Sequence, residues 1–350
     1  MLKNSIKTFV WIVASLVITP VFSQQETEEK NDFDMGYMIM HHISDAHEFP
    51  VFKDVSVYLP IILLDDGLQV FSSKKFYKEG EEIDGYLVNK EVGYGMYHEK
   101  IYKLNGEGKL DFDEEGHVAS TRPLDFSITK NVFGLMVAAL AMVIIFITTA
   151  RSYRGEGRAP KGIAKFTEPL VLFVRDEIAI GNIGEKKYKK YMPYLLTVFF
   201  FIWINAIFGL IPFFPGSTNV TGNISFTLML AIFTLILTVF SGTKHYWGHI
   251  FATPGVPKPL LFIMIPIEIV GIFTKPFALT VRLFANMTAG HIIILAFIGI
   301  IFTFQSVAWA GLSVPMALFI NFLELLVGAL QAFIFTMLSA LFIGEAVAEH

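Results

Sequence analysis

The sequence contains no cysteine in its 350 residues, and charged residues make up only 17% of it. The absence of cysteine excludes disulfide bonds, thiolate catalysis and cysteine-based metal sites. Charged residues account for about 25% of an ordinary soluble domain, whereas this chain has 54% hydrophobic residues and a positive mean hydropathy. These shortages indicate a membrane protein.

The few charges are concentrated in two regions of opposite sign. Residues 24–125 hold roughly 22 acidic and 10 basic side chains, and residues 126–350 hold roughly 9 acidic and 15 basic ones. The first region is polar enough to be soluble, while the second is apolar. We therefore expect two domains: an acidic extracytoplasmic domain over 24–125 and a membrane domain over 126–350.

The first 23 residues have the pattern of a secretory signal peptide. Lys3 and Lys7 precede the short apolar run FVWIVASLVI, and small or apolar residues precede Gln24. We expect residues 1–23 to be a signal peptide, with an uncleaved signal anchor as the alternative. The N-terminal domain would then lie outside the cytoplasm.

The acidic region has the pattern of a small β-rich domain. Two β-prone runs flank Asp66–Gly67, and two more flank Asn105–Gly106. Both dipeptides favour the tight turns of β-hairpins. The sequence therefore predicts a hairpin at each of these positions.

A histidine-rich stretch, MHHISDAHEF, lies near the start of the same domain. It places His41, His42 and His47 near Asp45 and Glu48. These side chains could bind a divalent metal, but their spacing matches no clear ligand geometry. We favour a solvated loop or strand here, and predict no metal site.

Five segments of the apolar region are long enough to cross a membrane, since about 20 helical residues span about 30 Å of hydrocarbon. They are residues 132–150, 193–211, 224–240, 276–304 and 314–343. The shorter segment 260–273 is interrupted by Pro266 and carries Glu268, so we expect it to form an interfacial helical hairpin. The predicted fold class is an all-α polytopic membrane protein preceded by a small β-rich domain, and these spans exclude a soluble enzyme.

Loop charges predict the orientation of the spans. The connection between the first two spans holds about ten of the 27 Lys and Arg residues and should therefore face the cytoplasm. The next connections alternate between uncharged and basic sequences. We expect an external N-terminus and a cytoplasmic C-terminus.

The last two spans contain several polar residues that can be compared by depth. If the spans form an antiparallel hairpin turning near Trp309, His291 and Glu324 lie about 18 and 15 residues from the turn, at nearly the same level. They could form a hydrated pair that relays protons. Asn286 and Gln331, about 23 and 22 residues away, predict a second matched level.

Arg282 is the charged residue whose position most needs a physical reason, since a charge in hydrocarbon costs several kcal/mol. It lies about 18 Å deeper than Glu324, too far for an ion pair in a regular hairpin. Three interpretations remain open: the side chain reaches cytoplasmic headgroups, pairs with Glu268, or faces a carboxylate on another membrane subunit.

Three stretches of the membrane region resemble the a subunit of F-type ATP synthases. They are RLFANMTAGH, ELLVGALQAFIFTMLSALF and VRDEIAIGNIGEKKYKKYMPYLLTVFFFIWINAIFGLIP, and the resemblance covers about residues 131–350. It implies that Arg282 is the essential stator arginine, that Gln331 faces it from the last helix, and that Asn286 is the asparagine one turn beyond. Relatives often carry a carboxylate where His291 stands and a histidine where Glu324 stands, so the two types are exchanged here.

The resemblance also implies a function and partners. We expect a subunit of the rotary ATP synthase in a bacterial inner membrane, with two proton half-channels and an arginine that couples proton flow to rotation of the c-ring. Expected partners are c-ring subunits, b-type peripheral stalk subunits, the lipid bilayer and translocated protons, with no cofactor, metal or nucleic acid. Nucleotide chemistry would reside on other subunits, so the chain itself is not expected to be an enzyme.

Two other classes of protein fit some of the same residues. An ion-coupled secondary transporter also places Arg, Glu and His in broken helices, but five spans show no internal repeat. A purely structural scaffold would require that the polar pairs be replaceable without loss of ion flux.

Overall fold

The computed structural model describes residues 34–348, except 53–54, 66, 84, 154–161, 212–213, 215 and 252–256. The expected signal peptide, 1–23, lies outside the described residues. The described chain has an N-terminal β-rich domain followed by a helical region, as the predicted fold class requires.

The N-terminal domain begins with helix α1, Met35–Ile43, and continues through three small antiparallel sheets, in the strand orders β1-β2, β4-β3-β9 and β5-β6-β7-β8. The strands within the described residues are β1 Glu48–Phe52, β2 Val55–Tyr58, β3 Pro60–Asp65, β4 Gly67–Ser72, β5 Glu81–Ile83, β6 Tyr86–Asn89, β7 Tyr94–Tyr97, β8 Lys100–Lys103 and β9 Leu124–Asp125. A short helix, α2, covers Lys74–Tyr77. Alternation places Ile61 and Leu63 of β3 in the core, where they pack with Phe76 and Ile101.

One of the two predicted hairpins is confirmed and the other is wrong. Strands β3 and β4 pair up to Asp65 and Gly67, as the Asp-Gly turn predicts. The second hairpin joins β7 and β8 and turns at His98 and Glu99, which both adopt positive φ. The His98 ring stacks on Tyr97 at 4.0 Å, and Glu99 accepts a hydrogen bond from Tyr77, so side-chain contacts stabilise a turn that the residue types do not favour.

Within its described residues, the helical region contains five helices long and apolar enough to cross a membrane. They are α3 Lys130–Ser152, α6 Tyr188–Leu210, α7 Ile224–Ser241, α9 Lys258–Thr303 and α10 Ala310–Val347. Shorter helical segments are α4 Ile163–Phe173, a π-helix Val174–Ile180, α5 Gly181–Ile183, α8 Lys244–Phe251 and a 3-10 turn Val307–Trp309. Large apolar side chains such as Phe240, Phe262 and Leu140 are exposed on the outside of these helices, which is the arrangement that lipid favours.

The core of the helical region lies where α6, α7, α9 and α10 meet. Fully buried side chains include Leu195 and Ile202 of α6, Leu283 and Met287 of α9, and Phe335 of α10. Small residues allow this close packing, since Gly328 of α10 lies directly against Ala206 of α6. The packing fixes the two longest helices beside each other.

The segment 260–273 is not a separate interfacial hairpin. Helix α9 is continuous over 46 residues and includes both this segment and the predicted span 276–304, with Pro266 and Pro276 inside the helix. A proline removes one backbone donor, but breaking the helix in apolar surroundings would leave several backbone groups unpaired. The helix therefore continues through both prolines.

The basic connection between the first two long helices is also more ordered than a loop. It contains α4, the π-helix and α5, with Val174, Ile178 and Ala179 buried against the core. Gly344 of α10 lies so close to the backbone of Asn182 that a β-carbon would clash with its carbonyl oxygen. The connection is therefore docked against the end of α10.

Candidate functional site

The predicted pair of His291 and Glu324 is in contact between α9 and α10. Nδ1 of His291 lies 2.6 Å from Oε1 of Glu324, and the Glu324 side chain is only 2% exposed. The same Nδ1 lies 3.0 Å from the carbonyl oxygen of Met287, one helical turn earlier. Nδ1 of His291 donates its hydrogen bond to the Met287 carbonyl oxygen, and its close approach to the Glu324 carboxylate is an electrostatic contact. Matched depth in a regular hairpin accounts for this contact.

Two glycines make the room that this pair occupies. A β-carbon at Gly290 would lie 2.6 Å from Cδ of Glu324, and one at Gly209 of α6 would lie 3.3 Å from Nε2 of His291. Both positions were missed from the sequence, although Gly290 directly precedes His291. The signal that could have found Gly290 in the sequence is a glycine next to a titratable residue inside a predicted span.

Gln331 meets α9 close to the second predicted level, and it contacts the backbone of Arg282, the residue that the resemblance places opposite it. Nε2 of Gln331 donates a hydrogen bond to the backbone carbonyl of Arg282, at 3.1 Å, instead of meeting Asn286 one turn further along α9. Asn286 is exposed and has no hydrogen-bond partner among the described residues. Depth counting from the turn cannot resolve one helical turn, because the two long helices are not required to be parallel.

The side chain of Arg282 is exposed and forms no ion pair with any described residue. Glu324 contacts His291 instead, as the predicted separation requires. Pairing with Glu268 is also absent, since Glu268 precedes Arg282 by 14 residues on the same continuous helix, about 21 Å along its axis. Of the three interpretations of Arg282, the structure excludes the one in which it pairs with Glu268.

The face of α9 that carries Arg282 is lined by small side chains. Ala278, Ala285 and Ala289 are all exposed, and with Arg282 they follow one another along the helix at spacings of four, three and four residues. Residues at such spacing share one face of a helix. This face is therefore shallow around the guanidinium and would allow another helix to approach closely.

Buried polar side chains also lie in α6 and in the loop that follows it. Thr218 and Asn219 belong to a loop that follows α6, and Asn205 lies within α6; all three are at most 7% exposed. Thr218 Oγ1, Asn219 Oδ1, Asn205 Oδ1 and His291 Nε2 each lack a hydrogen-bond partner among the described residues. Such buried atoms are positions where water is commonly bound.

The described side chains of the histidine-rich stretch do not form a ligand cluster. Residues His42 and His47 fall on different elements, with His42 in α1 and exposed, and His47 buried after it. Among the described side chains, no group of three or more His, Asp or Glu residues is placed to hold a metal ion. The favoured alternative of a loop or strand is wrong for the first part of the stretch, which α1 covers through Ile43, and right for the rest, which is a loop leading into β1.

The fold and the site together define a class: a polytopic helical membrane protein that holds a titratable pair between its two longest helices and presents an arginine on an open helix face. Residues 132–344 match the sequence model of the family described as ATP synthase A chain. Residues 38–126 match a separate domain of unknown function, DUF8433.

Individual relatives agree with the family match. The chain is 41% identical to ATP synthase subunit a of Anaeromyxobacter sp. (strain Fw109-5), over 92% of this chain and 73% of that protein. It is 40% identical to ATP synthase subunit a of Chlorobium phaeobacteroides (strain BS1), over 85% of this chain and 94% of that protein. It is 50% identical to ATP synthase subunit a 2 of Prosthecochloris aestuarii (strain DSM 271 / SK 413), over 84% and 93%. The chain belongs to the ATP synthase subunit a family, part of the F0 membrane sector.

Proposed function

We propose that this chain carries protons between two aqueous half-channels and couples their flow to rotation of a ring of c subunits, with Arg282 as the stator charge. Its site residues are Arg282, Asn286, His291, Glu324 and Gln331. The chain performs no nucleotide chemistry itself. The observation that carries this proposal is an exposed guanidinium on a membrane-spanning helix without a carboxylate partner among the described residues.

A fixed cation is what such a rotor requires. A carboxylic acid on a c subunit must be neutral while it faces lipid, because an ion in hydrocarbon is costly. A guanidinium stays charged at any cellular pH and lowers the pKa of a carboxyl group that comes near it. The acid therefore releases its proton on reaching Arg282, and the same charge opposes direct proton transfer between the half-channels.

The surroundings of Arg282 favour contact with a second protein. The alanines on its helix face leave space for a neighbouring helix, and the hydrogen bond from Gln331 to the Arg282 carbonyl fixes that turn of α9 against α10. A side chain that reached headgroups would not need a shallow helix face. We therefore assign this face to contact with the c-ring. The other membrane partners that we propose for the chain are b-type peripheral stalk subunits.

The His291–Glu324 pair is assigned to the outer half-channel. Both groups change charge by binding protons, and neighbouring buried polar atoms provide positions for water. Basic connections on one side of the spans favour a cytoplasmic C-terminus, with the β-rich domain outside the cell's inner membrane. Protons would then reach the pair from the outside before they reach the rotor.

The decisive test is ATP-driven proton pumping in inverted membrane vesicles that contain the complete enzyme. Replacing Arg282 by Ala should abolish pumping while ATP hydrolysis continues, because the rotor acid no longer meets a cation. Arg122→Ala, which removes an exposed arginine of the β-rich domain, is the matched control and should pump normally. Normal pumping by an assembled Arg282→Ala enzyme would refute the proposal.

A further inference from the structure

The β-rich domain contacts the helical region at three separate elements. It meets the start of α3, the loop after α6 and the outer end of α9. The family model for ATP synthase A chain begins only at residue 132, so these contacts come from a domain outside it. Each contact is made by specific side chains.

The first contact fixes the start of α3. Asp45 accepts hydrogen bonds from the backbone N–H of Asn131, at 2.9 Å, and from the hydroxyl of Thr129, at 3.0 Å. The backbone N–H of Lys130 donates to the carbonyl of Ala46, at 2.8 Å. Burial raises the pKa of the Asp45 carboxyl, whereas these donors favour its charged form. A carboxylate at a helix N-terminus also stabilises the helix dipole.

The second contact is an aromatic cluster at the loop after α6. Phe49, which is 2% exposed, packs edge-on against Phe133 of α3 at 5.4 Å and against Phe214 of the loop at 5.5 Å. The rings of Phe133 and Phe214 lie 5.6 Å apart. Nearby, Nε2 of His42 lies 3.4 Å from the hydroxyl of Ser217. The domain therefore holds the loop from its outer side.

The third contact involves helix α1 and the outer end of α9. A β-carbon at Gly299 would lie 3.1 Å from Cγ of Met35 and 3.4 Å from Cε of Met38. Gly299 is about two helical turns beyond His291 on the same helix. The domain thus touches both the loop and the helix that flank the titratable pair.

The loop itself leads from these contacts to His291. Thr218 packs against Gly134 of α3, where a β-carbon would lie 2.6 Å from its hydroxyl, and its carbonyl oxygen lies beside Gly209 with the His291 ring. Further along, Thr288 of α9 donates a hydrogen bond to the carbonyl of Gly222. The loop therefore fills the space between α3, α6 and α9 beside the His291 ring.

We infer that the β-rich domain is an outer clamp that holds the loop 216–223 over the His291–Glu324 pair and so defines the path by which protons reach it. Asp45 and Phe49 are the positioning residues of this clamp, and Thr218 and Asn219 line the path. This inference rests on the proposed function for its proton pathway, while the clamp itself is a statement about packing.

The clamp is tested by the reactivity of a buried position in the loop. The chain contains no cysteine, so Thr218→Cys gives subunit a a single thiol, which a maleimide reagent can label in the purified complete enzyme. A buried thiol reacts only when its surroundings open. Adding Phe49→Ala or Asp45→Ala should raise the labelling rate about tenfold or more, because each removes contacts that oppose opening.

Matched controls come from the far part of the same domain. Phe112 packs only against the rings of Tyr86 and Tyr97 among the described aromatic residues, and Asp111 accepts a hydrogen bond from Asn105. Phe112→Ala and Asp111→Ala should leave the labelling rate unchanged. Equal labelling in the clamp variants and in these controls would overturn the clamp. If Phe49→Ala prevents assembly, Asp45→Ala makes the same comparison.

Proton pumping separates the clamp from the proton pathway. In enzymes without the introduced cysteine, Phe49→Ala and Asp45→Ala should reduce the number of protons pumped per ATP several-fold, and Phe112→Ala should not. Faster labelling with unchanged pumping would overturn the role of the clamp in proton access. Labelling does not depend on Arg282, so normal pumping by Arg282→Ala would refute the proposed function without affecting the clamp result.

Discussion

Arg282 and the His291–Glu324 pair lie on the same two helices but differ in how complete they are within this chain. The pair is buried, its two members touch, and glycines shape the space around it. Arg282 is exposed on a shallow face and has no ion-pair partner among the described residues. A site that is complete acts within its own chain, whereas an exposed charge at membrane depth indicates a partner molecule. Substitutions at Arg282 and at the His291–Glu324 pair test this difference separately.

After the complete loss expected for Arg282→Ala, the largest effect is expected when Arg282 is replaced by Lys. Lysine keeps the positive charge but loses the planar group, and its pKa falls readily in apolar surroundings. We expect ATP-driven pumping to fall about 100-fold, with ATP hydrolysis retained. A fluorescent pH probe inside inverted vesicles measures this. Pumping within about twofold of the unchanged enzyme would mean that any cation suffices.

The next effect concerns the identity of the pair. His291→Glu alone places two carboxylates side by side, and Glu324→His alone places two imidazoles there, so each single variant should lose about tenfold in pumping. The double variant restores one group of each type and should recover at least part of the activity. Pumping by the double variant that is no better than that of either single variant would contradict a working pair.

A smaller effect is expected from the glycine that makes room for Glu324. Gly290→Ala brings a methyl group against the carboxylate and should shift it away from His291, reducing pumping several-fold. Gly271→Ala is the control on the same helix, because a β-carbon there meets nothing within 4 Å. Equal pumping by the two variants would show that the carboxylate adjusts at no cost.

The smallest effect is expected at Gln331. Gln331→Ala removes one hydrogen bond to the Arg282 carbonyl, worth about 1 kcal/mol, while the helical hydrogen bond of that carbonyl remains possible. Pumping should fall only about two- to threefold, because the guanidinium itself is unchanged. A loss as large as that of Arg282→Lys would mean that Gln331 acts on the rotor directly.

The sequence predicts the long helices and the buried pair because both follow from simple lengths. The length of an apolar run that crosses the membrane must match the thickness of the hydrocarbon layer, and the fixed rise per residue of a helix brings His291 level with Glu324. Gln331 bonds to the carbonyl of Arg282 and not to the side chain of Asn286, a distinction that depth counting cannot make because helix crossing angles are set by packing. The continuity of α9 through Pro266 and the turn at His98 also depend on neighbouring groups that no local pattern reports.

The length of α9 has a consequence for how steadily Arg282 is held. About 24 residues of this helix precede the arginine and about 21 follow it, so the arginine stands near the midpoint of one continuous helix about 69 Å long. Helices fray at their ends, where the terminal backbone groups lack partners within the helix. The backbone that carries the guanidinium is therefore as far from a fraying end as this helix allows.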